Sequence, residues 1–155
     1  MDYTFKHMTQ KQAEDIAYNW HYDGEYSFYD ITADEEDLEE FLDPDQRGDS
    51  TFAVFKNNEL EGFFSFKETE QGVVDIGLGM HPDLTGKGNG LSFLKAGIDF
   101  AKKKYAPHTF TLAVATFNQR AIKVYEKAGF QPEGNFMQAT NGSEYEFLKM
   151  RFVAG

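Results

Sequence analysis

The chain has 155 residues, the amount found in one ordinary domain, and it contains no cysteine. That composition excludes a disulfide framework, a thiolate metal site and a cysteine nucleophile. A formal charge of −11 sets up a mean field that repels phosphates, so neither nucleic acid nor an anionic membrane is expected as a partner. Sixteen Phe and eight Tyr are more aromatic side chains than a disordered chain carries. No apolar run approaches the roughly 18 residues of a membrane span, and the first residues carry no charged-then-apolar leader, so the expected location is cytoplasmic. The charge is divided unevenly: residues 1–85 sum to −16, residues 86–130 to +6 and residues 131–155 to −1. A basic middle segment suits an anion, and an acidic first half suits a cation.

The chain shows no repeat, no low-complexity stretch and no linker, so residues 1–155 are expected to form a single domain. Tyr3 to His7 reads as a short first strand. Thr9 and Gln12 have the spacing of a capping box and open a helix to about Trp20. Residues 21–30 form an aromatic loop around Gly24. Thr32 and Glu35 repeat the capping-box spacing and open an acidic helix that ends near Asp43-Pro44. Thr51 to Lys56, Leu60 to Lys67 and Val73 to Met80 are predicted strands, turning at Asn57-Asn58 and Gln71-Gly72. Gly77 and Gly79 inside the last of these mark a bulge or a place where another molecule approaches the backbone.

Past Pro82, a glycine-rich loop leads into a helix whose apolar stripe is Leu91, Leu94, Ile98 and Ala101. Thr109 to Ala115 is a strand. Asn118 is a good N-cap for a helix to Ala128, which Gly129 ends. Phe130 to Gln138 and Glu144 to Phe152 make a hairpin around Asn141-Gly142. The order β-α-α-β-β-β-α-β-α-β-β predicts an α/β fold with a mixed sheet of about seven strands and helices on both faces.

Two runs carry chemistry. Thr85-Gly86-Lys87-Gly88-Asn89-Gly90-Leu91 lies between a strand and a helix. Three glycines let backbone N–H groups converge, the helix N-terminus adds partial positive charge, and Lys87 adds a full one, which together suit a phosphate. The spacing matches neither a Walker A loop nor a dinucleotide fingerprint. In the second run, Asn118 and Tyr125 are seven residues apart on one helix face, about 10.5 Å along the axis, and can hold two ends of an extended ligand. Each also has a plain structural reading, Asn118 as an N-cap and Tyr125 as a core aromatic. His7, His21, His81 and His108 are scattered, so no metal site is expected.

From Asp75 to Phe130 the chain resembles the GNAT superfamily of acyl-CoA-dependent N-acyltransferases. The resemblance lies in the strand ending in Met80-His81-Pro82-Asp83, in the Gly86-x-Gly88-x-Gly90 loop, and in the Asn118…Arg120-Ala121…Tyr125-Glu126-Lys127…Gly129-Phe130 helix. It implies a mostly antiparallel sheet and direct transfer of an acetyl group from acetyl-CoA to a primary amine on a small molecule or peptide, without a metal. Backbone amides of Gly86, Lys87, Gly88, Asn89, Gly90 and Leu91 would cradle the pyrophosphate. Leu78, Gly79 and Met80 would pair with the pantetheine arm, Asn118 would bind the cofactor, and Tyr125 would protonate the departing thiolate.

Two positions depart from the family pattern. Thr85 stands where Gln or Arg is usual, and Ala113 where some members carry a glutamate base. As base the sequence offers Asp75, Glu25, His21, a water chain, or an amine that arrives neutral. Lys87, Arg120, Lys123 and Lys127 are candidate phosphate neighbours. The acidic first half points to a cationic acceptor, with Trp20, Tyr22, Tyr26, Phe28 and Tyr29 lining its entrance. The alternatives are a non-catalytic acyl-CoA-binding module and a protein-interaction module of the same fold. The oligomeric state stays open, a dimer included.

Overall fold

A computed structural model describes residues 3–85 and 88–154. Seven strands form one sheet in the order β1-β2-β3-β4-β5-β7-β6. They are β1 (Tyr3–His7), β2 (Thr51–Lys56), β3 (Glu59–Glu70), β4 (Val73–Met80), β5 (Thr109–Ala115), β6 (Gln131–Thr140) and β7 (Ser143–Val153). Neighbours are antiparallel except β4 and β5, which are parallel and joined by a helical crossover. The helices are α1 (Gln10–Asn19), α2 (Glu35–Leu42), α3 (Pro44–Arg47), α4 (Gly90–Tyr105) and α5 (Gln119–Ala128). None among the described residues is long and apolar enough to cross a membrane.

Strand alternation sorts the helices onto two faces. Phe63 and Phe64 are consecutive in β3 and point to opposite sides. Phe64 is fully buried and stacks on Phe93 of α4 with centroids 4.7 Å apart. Phe63 meets Phe41 of α2 at 5.3 Å and Trp20, just past α1, at 6.4 Å. The principal core lies on the α4 face, where Phe64, Phe110, Leu112 and Met150 of the sheet pack with Phe93, Leu94 and Ile98 of α4, Ile122 of α5 and Phe130. Each such large side chain contributes about 1.5–3 kcal/mol by leaving water. On the other face, Ala13, Ile16 and Ala17 form the buried stripe of α1.

The local chemistry accounts for most boundaries. Thr9 and Gln12 form the expected reciprocal cap of α1. The second capping box does not form: Thr32 lies in a 3₁₀ turn, and α2 starts at Glu35 because the Asp34 carboxylate accepts the Asp37 N–H at 3.0 Å. Pro44 does more than end α2. With Asp43 as cap it opens α3 at the one helical position where proline's missing N–H costs nothing. The aromatic loop is also more ordered than a plain loop, with a 3₁₀ helix over Gly24–Tyr29.

The tip of the last hairpin reaches across to that loop. The Asn141 N–H donates to Asp34 at 2.8 Å, the Thr140 hydroxyl donates to the same carboxylate at 3.2 Å, and Asn141 Nδ2 donates to the Phe28 carbonyl at 2.9 Å.

Candidate active site

The site begins where the sheet comes apart. β4 and β5 pair only over Val73–Asp75 and Thr109–Thr111, yet β4 runs on to Met80 and β5 to Ala115. At about 3.3 Å per residue, the five further residues of β4 leave roughly 16 Å of strand facing a widening gap. A cleft of about 790 Å³ opens there. Its lining passes through the sheet: Phe93 and Leu94 come from the α4 face, Ile16 and Trp20 from the α1 face, and Leu78, Gly79 and Met80 from the strand between them.

One end is built for an anion. Gly88, Gly90 and Leu91 line the cleft where α4 begins, and Gly88 holds φ +81°, a left-handed backbone natural to glycine. Asn89 sits behind them as the N-cap residue of α4, its side chain turned back toward the Leu84 carbonyl at 3.5 Å. Across the gap, Arg120, Lys123 and Lys127 of α5 add three positive charges to the lining. Gly86 and Lys87 lie outside the described residues. Thr85 is on the lining, with its hydroxyl donated to the Pro82 carbonyl at 2.8 Å.

The middle of the cleft holds the two residues singled out on α5. Asn118 is buried; its Oδ1 accepts the Ala121 N–H at 3.1 Å, and its Nδ2 donates to the Tyr29 hydroxyl at 3.3 Å. One of the two Nδ2 hydrogens remains for another acceptor. Tyr125 lines the same cleft, its ring 6.2 Å from Phe130. Burial, followed by the neighbouring Tyr29 phenol, raises the Tyr125 pKa well above its ordinary value, so the phenol is a proton carrier across the whole neutral range.

The other end is aromatic: Trp20, Tyr22, Tyr26, Tyr29, Ile31 and Phe63 line it. Phe28 does not join them; it packs against Phe117, Tyr145 and Phe147, because the 3₁₀ winding turns it toward the last hairpin. Tyr22 donates its hydroxyl to the Met80 carbonyl at 2.7 Å, closing one main-chain acceptor at the end of β4. The Arg120 guanidinium lies over the Tyr26 ring at 4.3 Å, where the cationic and aromatic walls meet.

Several sequence-based expectations are corrected. The Asp75 carboxylate accepts the Thr111 hydroxyl at 2.7 Å, at the closed end of the split, so it stands away from the cleft. Glu25 and His21 are not on the lining either; His21 is held between Asp30 and the Tyr18 carbonyl, at 3.0 and 2.8 Å. The side-chain face of Gly79 is filled, since a Cβ there would stand 2.4 Å from the Phe63 ring and one on Gly77 2.5 Å from Ser65 Oγ, while the Gly79 main chain stays on the cleft lining. These glycines make room for the neighbouring strand's side chains. The acids of α2 also stay outside: Glu35, Glu36, Asp37, Glu39 and Glu40 are exposed. Ile16, Ile31 and Phe63 are lining residues that sequence reasoning missed. Ile16 is one helical turn before Trp20, and Phe63 faces Gly79 in the β3–β4 register, which are the signals that mark those two; Ile31 has none.

The family model for the acetyltransferase (GNAT) domain matches residues 3–131. No curated protein matches the sequence. Among solved structures, a chimera of the spermidine N-acetyltransferase SpeG from Vibrio cholerae and hSSAT superposes with a TM-score of 0.75 at 19% identity, covering 99% of this chain and 96% of that one. Spermidine N-acetyltransferase from Vibrio cholerae in complex with CoA and spermine gives 0.73 at 18% identity, over 97% and 95% of the two chains. A GNAT-family acetyltransferase from Bacillus anthracis gives 0.73 at 20% identity, over 97% and 94%. At these identities the likeness is one of fold.

Proposed function

The chain belongs to the GNAT acetyltransferase family and is an acyltransferase, and from that premise we propose that it moves an acetyl group from acetyl-CoA to a primary amine, residues 1–155 acting as one catalytic domain. The observation that carries this reading is the single cleft joining the N-terminus of α4, the free reach of β4 and the phenol of Tyr125. A solved relative by fold holds CoA, which supports the same donor here.

In this proposal the pyrophosphate lies against the amides of the 86–91 loop, and Arg120, Lys123 and Lys127 offset its charge. Leu78 and Gly79 offer main-chain groups to the extended arm, as an edge strand does to an added one. The amine nitrogen attacks the thioester carbonyl carbon, a C–N bond forms, and the C–S bond breaks. The Tyr125 phenol gives its proton to the leaving sulfur, and the proton lost by the amine reaches solvent and restores the phenol. Among the described residues lining the cleft there is no carboxylate and no histidine, so the amine is deprotonated by water or enters neutral. Asn118 binds cofactor with its remaining hydrogen and holds Tyr29 beside Tyr125.

The direct test is thermal unfolding with and without CoA, paired with amine-dependent thiol release from acetyl-CoA. Ligand at 100 times its Kd adds about 2.7 kcal/mol. For a chain of this size that raises Tm by roughly 5–11 °C. A Tm that CoA leaves unmoved at millimolar concentration overturns the proposal.

A further inference from the structure

The division of the cleft into a cationic wall and an aromatic end bears on which amine it takes. Polyamines such as spermidine carry two or more ammonium groups beyond the one that reacts. Burying each in a cleft needs a carboxylate or a comparable acceptor, because an unpaired buried charge is strongly penalised. Among the described lining residues the charged side chains are Arg120, Lys123 and Lys127, all positive. Of the carboxylates near the aromatic end in sequence, Asp23 and Glu25 are exposed and off the lining, and Asp30 and Asp34 are committed elsewhere. Asp30 accepts the Tyr22 N–H at 2.8 Å on one oxygen and faces His21 at 3.0 Å with the other. Asp34 accepts from Asp37, Thr140 and Asn141. The acids of α2 are exposed on the outside.

What the aromatic end does offer is apolar surface with a few hydroxyls. Trp20 is buried, and Phe63 is wedged between it and Phe41. Tyr22 is pinned to Met80, and Tyr29 to Asn118, so two of the rings have fixed positions before any ligand enters. Pre-placed rings bind a flat or branched apolar body with little ordering cost.

Resting on the acetyltransferase reading above, we propose that the acceptor is a monoamine with an aromatic or branched apolar body, which lies among Trp20, Tyr22, Tyr26, Ile31 and Phe63 while its single amino group reaches the thioester beside Tyr125. The absence of a carboxylate among the described lining residues makes this a specificity device. A second ammonium would sit among rings and hydroxyls, with no carboxylate on the described lining to pair with it.

The test compares kcat/KM for 2-phenylethylamine and spermidine, with acetyl-CoA at saturation and thiol release as the readout. The aromatic monoamine is expected to exceed spermidine by at least tenfold. Ile31→Glu, which puts a carboxylate at the aromatic end, is expected to move the ratio toward spermidine by tenfold or more, while CoA still raises Tm as in the parent protein. Spermidine as the better acceptor of the parent protein overturns the proposal, as does an Ile31→Glu ratio unchanged in a folded variant. CoA binding without turnover of either amine overturns the acceptor assignment and leaves the cofactor site standing. Failure to bind CoA at all overturns both.

Discussion

Tyr125→Phe removes one oxygen from the middle of the cleft and leaves the ring where it packs, edge-on to Phe130. The loss to stability is therefore small, about 1 kcal/mol, which moves Tm by roughly 2–4 °C. Tyr125→Ala would confuse the question, since truncating a packed aromatic costs about 3–5 kcal/mol. If the phenol protonates the departing sulfur, its loss lowers kcat by about 10²–10⁴. At 1.36 kcal/mol per decade that is about 3–5 kcal/mol of transition-state stabilisation. CoA affinity is expected to change by no more than roughly threefold, because the hydroxyl serves the transition state and not the ground state. The pH profile adds a second check. Burial and the Tyr29 phenol push the Tyr125 pKa above its ordinary 10.0, so any alkaline fall in kcat that belongs to this group lies above pH 10. Steady-state kinetics from pH 6 to 10 on parent and variant read the drop in kcat and should show no alkaline fall from this group within that range. A folded Tyr125→Phe protein with kcat within threefold of the parent would refute the assignment.

Two further outcomes are expected. Gly97→Ala should destabilise the fold even though alanine is the better helix former by about 1 kcal/mol. The new Cβ would stand 2.3 Å from the Phe64 ring, which is fully buried among Phe5, Phe66 and Phe93, and overpacking of this kind costs about 1–3 kcal/mol or more; chemical denaturation reads the sign. The second concerns His21, whose two ring nitrogens face acceptors, the Asp30 carboxylate and the Tyr18 carbonyl; only the protonated ring can donate to both, so the pKa rises above the ordinary 6.5, chiefly through the Asp30 hydrogen bond. A raised folded-state pKa means the tie is fully present below pH 6.5 and is lost as pH climbs through the folded value. Proton NMR should show His21 titrating above 6.5, and protease cleavage within residues 21–30 should quicken on the alkaline side. A His21 midpoint at or below 6.5 contradicts this.

Much of the architecture was legible because hydrophobic period and turn chemistry agree along the chain. The β1, β2, β4 and β5 boundaries follow from alternating apolar residues, and the turns at Asn57-Asn58 and Asn141-Gly142 from residues that accept positive φ, which all four adopt. The α5 helix announces itself at both ends, with the Asn118 side chain capping Ala121 and Gly129 at φ +112°. What was illegible depends on contacts distant in sequence. Asp34 outcompetes Thr32 as a cap, and its carboxylate also receives the hairpin tip more than 100 residues away. Asp75 read as a candidate base and Gly77 and Gly79 as gaps beside the backbone, yet Thr111 bonds Asp75, and Ser65 and Phe63 fill the side-chain faces of the two glycines from the neighbouring strand. The acidity of the first half does not translate into acids on the described lining, because charge counted along a chain does not say which side of a helix turns inward. Burial does, and α2 turns Leu38 and Phe41 inward and its acids outward.

The hairpin tip has a bearing on biosynthesis. The loop that supplies Tyr22, Tyr26 and Tyr29 belongs to the first fifth of the chain, while Asn141, which fastens to Phe28 and Asp34, comes in the last tenth. During translation, the early segment therefore waits for nearly the whole polypeptide to emerge before its aromatic rings are braced. Anything that stalls or clips the nascent chain before residue 141 leaves that brace unmade, however complete the phosphate-facing half has become.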